Sequence, residues 1–210
     1  MRRPFGYAPV VGLDRYSEPV PVPRGGIRFP LELTPPDGFR AEEPLTWPTV
    51  AGRLEYTAGR LWLMPPCGDE QQDVAASLVG VLEPWSLEHP DYVVGANEAG
   101  IILGGEVRGA DAAVWRRADA GPRTGGYRRS APILAVEVAG RDEGEVALLG
   151  KARWYLEHGV QIVWIVLPAE RAVVIVDARA TTRLADSETI EAREELPGLT
   201  TPVRRLFRQL

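Results

Sequence analysis

The stretch from 132 to 168 constrains the fold more than any other part of the chain. "PILAVEV" (132–138) and "QIVWIVLP" (161–168) are dense apolar runs rich in β-branched residues. Between them, Glu145 to His158 carries a helical pattern, with Val146, Leu149, Ala152, Trp154, Tyr155 and Leu156 at apolar positions and Gly159 as the C′ cap. Strand, helix and strand at this spacing predict a right-handed crossover joining two adjacent parallel strands, the second of them buried on both faces of a sheet. One residue does not suit this placement: Glu137, between Val136 and Val138, is a carboxylate in a core strand. Ionised there, it costs several kcal/mol unless a cation or a metal partners it.

The remaining patterns build an α/β domain around that unit. "RLEYTAGRLWLMPP" predicts a hairpin about Ala58-Gly59, stopped by Pro65-Pro66. "GDEQQDVAASLVGVLEPW" sets Val74, Leu78, Val81, Leu82 and Trp85 at helical spacing, with Asp69 as N-cap, Glu70 in the first turn, and Pro84 kinking or ending the helix. Strands are expected at 92–96, 100–105, 110–115 and 172–177, with a weaker one near Thr189 to Arg193 and a short basic helix at the end. Residues 1–48 hold more than half of the nineteen prolines and show no period. They read as an extended proline-rich arm with one edge strand around Ile27 to Leu33, leaving 49–210 as the α/β domain on a mixed sheet flanked by helices.

Composition narrows the function. A formal charge of −5 and a pI near 5.2 argue against a protein that coats nucleic acid by bulk electrostatics and leave room for a local basic patch. Cys67 is the only cysteine, so it forms no internal disulfide and no zinc site by itself. The N-terminus lacks the apolar core of a signal peptide, and no run approaches the roughly 18 apolar residues of a membrane span; the expected location is the cytoplasm. Of 24 basic residues, only Lys151 is lysine. Arginine and lysine are nearly exchangeable on a surface but not where a compact ammonium with an adjustable pKa is needed.

Three polar residues are tied to the sheet: Asp111 at the start of one strand, Glu137 near the end of another, and Lys151 in the following helix. Two accounts of Glu137 stand side by side. Either it is half of an ion pair with Lys151 or an arginine, or it shares a divalent metal with Asp111. Two carboxylates, a backbone carbonyl and waters are what Mg²⁺ or Mn²⁺ prefers, since these hard cations bind oxygen and keep part of their hydration. A metal beside a lysine suits the attack of water on a phosphodiester. The polar loop "RRADAGPRTGGYRR" offers Arg116, Arg117, Arg123, Arg128 and Arg129 as phosphate contacts, or as an ordinary solvated surface. No helix-turn-helix or other DNA-reading motif is visible.

"LEYTAGRLWLMPP", "VRGADAAVW", "APILAVEVAG" and "KARWYLEHGVQIVWIVLP", in this order, resemble the Uma-type restriction-endonuclease family of the PD-(D/E)XK nuclease superfamily, from about residue 49 to 180. The resemblance implies a restriction-endonuclease-like core and a divalent metal held by Asp111 and Glu137. It also implies that the lysine comes from the helix, at Lys151, rather than from the position of Ala139 two residues after the glutamate. Glu55 matches a recurrent family glutamate, and Glu70 and Glu98 are candidates for a further acid. The chain departs from the family pattern at Ala110, Gln71, Ala147 and Gly140-Arg141, where the family commonly has proline, histidine, an acid and a serine-proline pair. The expected activity is metal-dependent hydrolysis of DNA phosphodiester bonds. The alternative is a catalytically weak or inactive nuclease fold that binds nucleic acid or a protein partner. Cutting both strands of a duplex would favour a homodimer.

Overall fold

The computed structural model describes residues 29–210 apart from 51 and 142; the expected arm therefore lies mostly outside the described residues. In chain order the strands and helices are β1 (Leu31–Leu33), β2 (Leu54–Thr57), β3 (Arg60–Leu63), α1 (Asp69–Glu88), β4 (Tyr92–Leu103), β5 (Glu106–Arg116), β6 (Leu134–Val138), α2 (Glu145–Glu157), β7 (Ile162–Leu167), β8 (Ala172–Asp177), β9 (Thr181–Ala185), β10 (Thr189–Ile190) and β11 (Thr201–Pro202). The first nine strands form one mixed sheet ordered β1-β3-β2-β5-β6-β7-β8-β9, with β4 paired to β5; β10 and β11 form a separate ribbon. The β6–α2–β7 unit joins two adjacent parallel strands as expected, with Glu137 level with Ile165 on the neighbour.

Strand alternation distributes the core between two layers. Leu134, Val136 and Val138 of β6, with Ile162, Trp164 and Val166 of β7, meet Val74, Leu78, Leu82 and Trp85 of α1 and the C-terminal Leu206 and Phe207. Ala135, Val163 and Ile165 face the opposite way, onto Leu148, Ala152 and Tyr155 of α2. Glu137, one residue out of phase with Val136 and Val138, therefore points to the α2 side.

Several elements differ from their sequence patterns for identifiable reasons. α1 runs through Pro84 to Glu88, and the Gly80 carbonyl, four residues back and robbed of its usual amide donor, accepts a bond from Arg205 at 3.3 Å. Gly68, not Asp69, is its N-cap; the Asp69 carboxylate accepts from the Glu70 amide instead. The strands expected at 92–96 and 100–105 are one long strand, β4, with its register shifted between Ala96 and Ala99. It turns into β5 through Gly104-Gly105, whose positive φ angles of 57° and 80° need glycine. On α2 the buried stripe is Leu148, Ala152 and Tyr155, while Val146 is 85 % exposed. The C-terminal helix is only a 3₁₀ turn, Val203–Arg205, and β9 arises from a polar segment that had no strand signal.

Candidate active site

β5 is where the sheet forks. β4 takes one of its edges over the whole length, so β2, paired at Val107, and β6, paired at Ala112 to Val114, must share the other edge at different heights. Gly109 to Asp111 span the gap between them. Asp111 also lies opposite the β4 irregularity, where Asn97 and Glu98 adopt left-handed conformations with φ of 59° and 56°. Its side chain closes the end of β6: Oδ2 accepts from the Val138 amide at 2.7 Å, and Oδ1 accepts from the Gln71 side-chain amide at 3.3 Å. The same Gln71 nitrogen donates to the Val138 carbonyl at 3.3 Å, so an amide NH₂ sits between two oxygens.

Glu137 is 4 % exposed, and both of its oxygens are held from α2. Lys151 Nζ approaches Oε2 at 3.2 Å, and the Tyr155 hydroxyl donates to Oε1 at 2.8 Å. These two donors are four residues apart, on the stripe that also buries Leu148 and Ala152, which is why a lysine points inward there. Glu143 closes on the same ammonium at 2.8 Å. Glu55 of β2 completes the cluster from the other side of the fork. It is buried, accepts from the Gly109 amide at 3.2 Å and lies 3.7 Å from Arg53, which also reaches Glu98 at 3.4 Å.

The electrostatics follow from this crowding. Burial, then the charge of Glu137, pushes the Asp111 carboxyl from 3.8 up to about 7, against the opposing effects of the Val138 amide, Arg53 and Lys151. Burial also raises Glu55. Lys151 is desolvated too, yet Glu137, Glu143 and Glu55 more than offset that and hold it well above the usual lysine range, so it stays an ammonium. Tyr155 is raised by burial and by Glu137, and so remains a neutral donor.

The fork thus brings together Asp111, Glu137, Lys151 and Glu55, with Glu98 reaching them through Arg53. Glu70 is exposed in the first turn of α1 and takes no part in these contacts. Arg116 and Arg123 are exposed. Arg117 bonds the carbonyls of Pro90 and Tyr92, Arg129 pairs with Glu42, and Arg128 lies 4.6 Å over the Trp115 ring while bonding the Ala120 carbonyl. The sequence reading passed over Arg53, Glu143 and the polar role of Tyr155. Only Tyr155 had a signal: its four-residue offset from Lys151.

Among the described residues no three His, Cys, Asp or Glu side chains converge as a ready-made metal cage. What the fork offers is an oxygen-only set: the carboxylates of Asp111 and Glu137 and the Val138 carbonyl. The charge of Glu137 raises the cost of ionising Asp111, and the Gln71 amide donates to both the Asp111 carboxylate and the Val138 carbonyl. This chemistry fits a hard divalent cation.

The Uma2 family model, described as "Putative restriction endonuclease", matches residues 41–204. The chain belongs to the Uma2 family. A solved structure described as "a putative nuclease belonging to DUF820 from Anabaena variabilis ATCC 29413" superposes with a TM-score of 0.70 at 17 % identity, covering 81 % of this chain and 98 % of that one. That likeness establishes the shared fold, the restriction-endonuclease-like core the sequence had suggested. No curated protein matches the chain. No helix among the described residues is long and apolar enough to cross a membrane. Membership of the Uma2 family makes this a nuclease-type fold, with its acids gathered at the sheet fork.

Proposed function

We propose that the chain is a metal-dependent endonuclease that hydrolyses DNA phosphodiester bonds, with Asp111 and Glu137 as the residues that would hold Mg²⁺ or Mn²⁺. The observation that carries this reading is the meeting of two buried carboxylates and one ammonium where β5 and β6 part. A cation bound there would lower the pKa of a coordinated water and neutralise charge on the phosphate.

The chain's own residues have distinct parts. Asp111 must be ionised to serve, and it is held in place by the Val138 amide. Tyr155 fixes the orientation of Glu137 by donating to Oε1. Lys151 is held by Glu137 and Glu143, and with its raised pKa it acts as a positive charge beside the phosphate rather than as a proton acceptor. Arg116 and Arg123, both exposed, are the candidate phosphate contacts, which would hold a strand without reading its sequence. Severing both strands of a duplex would bring two copies together.

The test is cleavage of single- and double-stranded DNA by the purified protein with Mg²⁺ or Mn²⁺, alongside Asp111→Ala and Glu137→Ala. Activity in the parent and none in either variant supports the reading. Absence of both cleavage and metal binding overturns it. A second reading, a binding domain that does not cut, is favoured by the bond of Gln71 to Asp111 and predicts nucleic-acid or partner binding that survives both substitutions.

A further inference from the structure

We propose that the cleft beside the fork receives one unstacked nucleobase of the bound strand, so that the protein holds a base next to the phosphate it presents to Asp111 and Glu137. This rests on the nuclease reading above and adds to it a subsite for a specific chemical group. The cleft has a volume of about 420 Å³ and is lined by Pro44, Trp47, Arg53, Asn97, Glu98 and Tyr127 among others.

Its two aromatic walls are fixed. The Trp47 indole N–H donates to the carbonyls of Arg40 and Ala41 at 3.1 and 3.2 Å, and Phe39 packs behind it at 5.7 Å. Tyr127 stands edge-on to Trp47, with ring centroids 6.1 Å apart at 74°. It is seated by a parallel bridge between Arg128 and Ile101, and its ring occupies the space over Gly100: a Cβ there would come within 2.2 Å of the ring. Any residue but glycine at 100 would displace this wall.

The polar rim favours a flat, uncharged ring over a phosphate. Arg53 is the cationic residue of the lining, and Glu55 and Glu98 already engage both of its terminal nitrogens. A phosphate entering the cleft would meet two carboxylates around one guanidinium whose terminal nitrogens already pair with them and whose Nε is buried without a partner. A nucleobase would instead find π-faces to stack on, with the Asn97 amide and the Glu98 carboxylate as donor and acceptor for its edge. Asn97 and Glu98 hold left-handed backbone conformations in succession, an arrangement uncommon for non-glycine residues and costly unless the surroundings enforce it. The irregularity that creates them also lies opposite Asp111, so the cleft and the carboxylates are parts of one bend in β4. Arg53 links the two directly, lying against Glu55 on one side and Glu98 on the other.

The experiment measures the affinity of the full-length protein, in EDTA, for end-labelled single strands by fluorescence anisotropy. Three strands of equal length are used: oligo-dT, oligo-rU and a fully abasic deoxyribose-phosphate backbone. Stacking of even one base in the cleft should make oligo-dT bind at least about tenfold more tightly than the abasic strand. Trp47→Ala should bring the two to within about twofold while leaving the abasic affinity unchanged. Asn97→Gly, which keeps the left-handed backbone without strain, guards against misfolding of the tryptophan variant and should narrow the gap by about threefold or more. Oligo-rU binding more tightly than oligo-dT, with the same sensitivity to Trp47, supports the base subsite and assigns the backbone as RNA, whereas equal binding supports the subsite on either backbone. Equal binding of base-bearing and abasic strands, or a gap that both folded variants leave intact, overturns the subsite while leaving the nuclease reading standing. Binding of no strand overturns the subsite, and the cleavage and metal-binding test above decides the nuclease reading separately.

Discussion

Asp111→Asn should remove a pH-dependent penalty that the native fold carries. In the folded chain burial and Glu137 push the Asp111 carboxyl from 3.8 to about 7, so the native state keeps its proton across a range where the unfolded chain has released it. The folded state then binds more protons than the unfolded one, and the free energy of unfolding falls as pH rises. The stability is fully present below the ordinary carboxylate pKa and is lost as pH climbs through about 7. At 1.36 kcal/mol per pH unit, the rise corresponds to about 4 kcal/mol on the ionised form. The assay is urea unfolding of parent and Asp111→Asn proteins from pH 4 to 8 in EDTA. The stability difference between them should drop by up to about 4 kcal/mol over that range, because titrations elsewhere cancel. Adding Mn²⁺ at about a hundred times its Kd at pH 8 should return about 2.7 kcal/mol to the parent alone. A difference flat to within about 1 kcal/mol would refute the burial argument. A pH-dependent drop with no Mn²⁺ response would keep that argument and reject the metal.

Other perturbations read other parts of the fork. Lys151→Met should destabilise the fold by about 3–5 kcal/mol, measured by urea unfolding, because Glu137 loses its cation while staying buried. Lys151→Arg should spare the fold and lower cleavage, since a planar guanidinium does not replace a compact ammonium. Tyr155→Phe leaves one oxygen of Glu137 without its donor and should cost about 1–3 kcal/mol by the same measurement. Gln71→Ala clears the amide from between Asp111 and the Val138 carbonyl and should tighten Mn²⁺ binding about fivefold by calorimetry, the equivalent of about 1 kcal/mol of hydrogen bonding.

Much of the framework was written locally. The β6–α2–β7 crossover was legible because continuous β-branched runs around a capped amphipathic segment have few other folds. Glu137 stood out because a single charge interrupts such a run. Lys151 stood out for a different reason, as the only lysine among 24 basic residues. Tertiary structure decided what local patterns do not encode. Pro84 did not end α1, and the carbonyl it strands meets Arg205 from the far end of the chain. The buried stripe of α2 follows Leu148, Ala152 and Tyr155 and leaves Val146 exposed, because its register is set by what the sheet presents, including a carboxylate that meets two donors.

The sequence by itself therefore determined that Glu137 is a charge in a core strand and that β6 and β7 must be neighbours, since burial of apolar runs leaves little choice. It did not determine that β2 and β6 share one edge of β5, nor that the bend in β4 sets Asn97 and Glu98 opposite Asp111. Those placements depend on long-range strand pairing, where a shift of one residue would move every side chain to the other face. From them come the proximity of Asp111 to Glu137 and its high pKa, the amide of Gln71 between two oxygens, and the cleft walled by Trp47 and Tyr127.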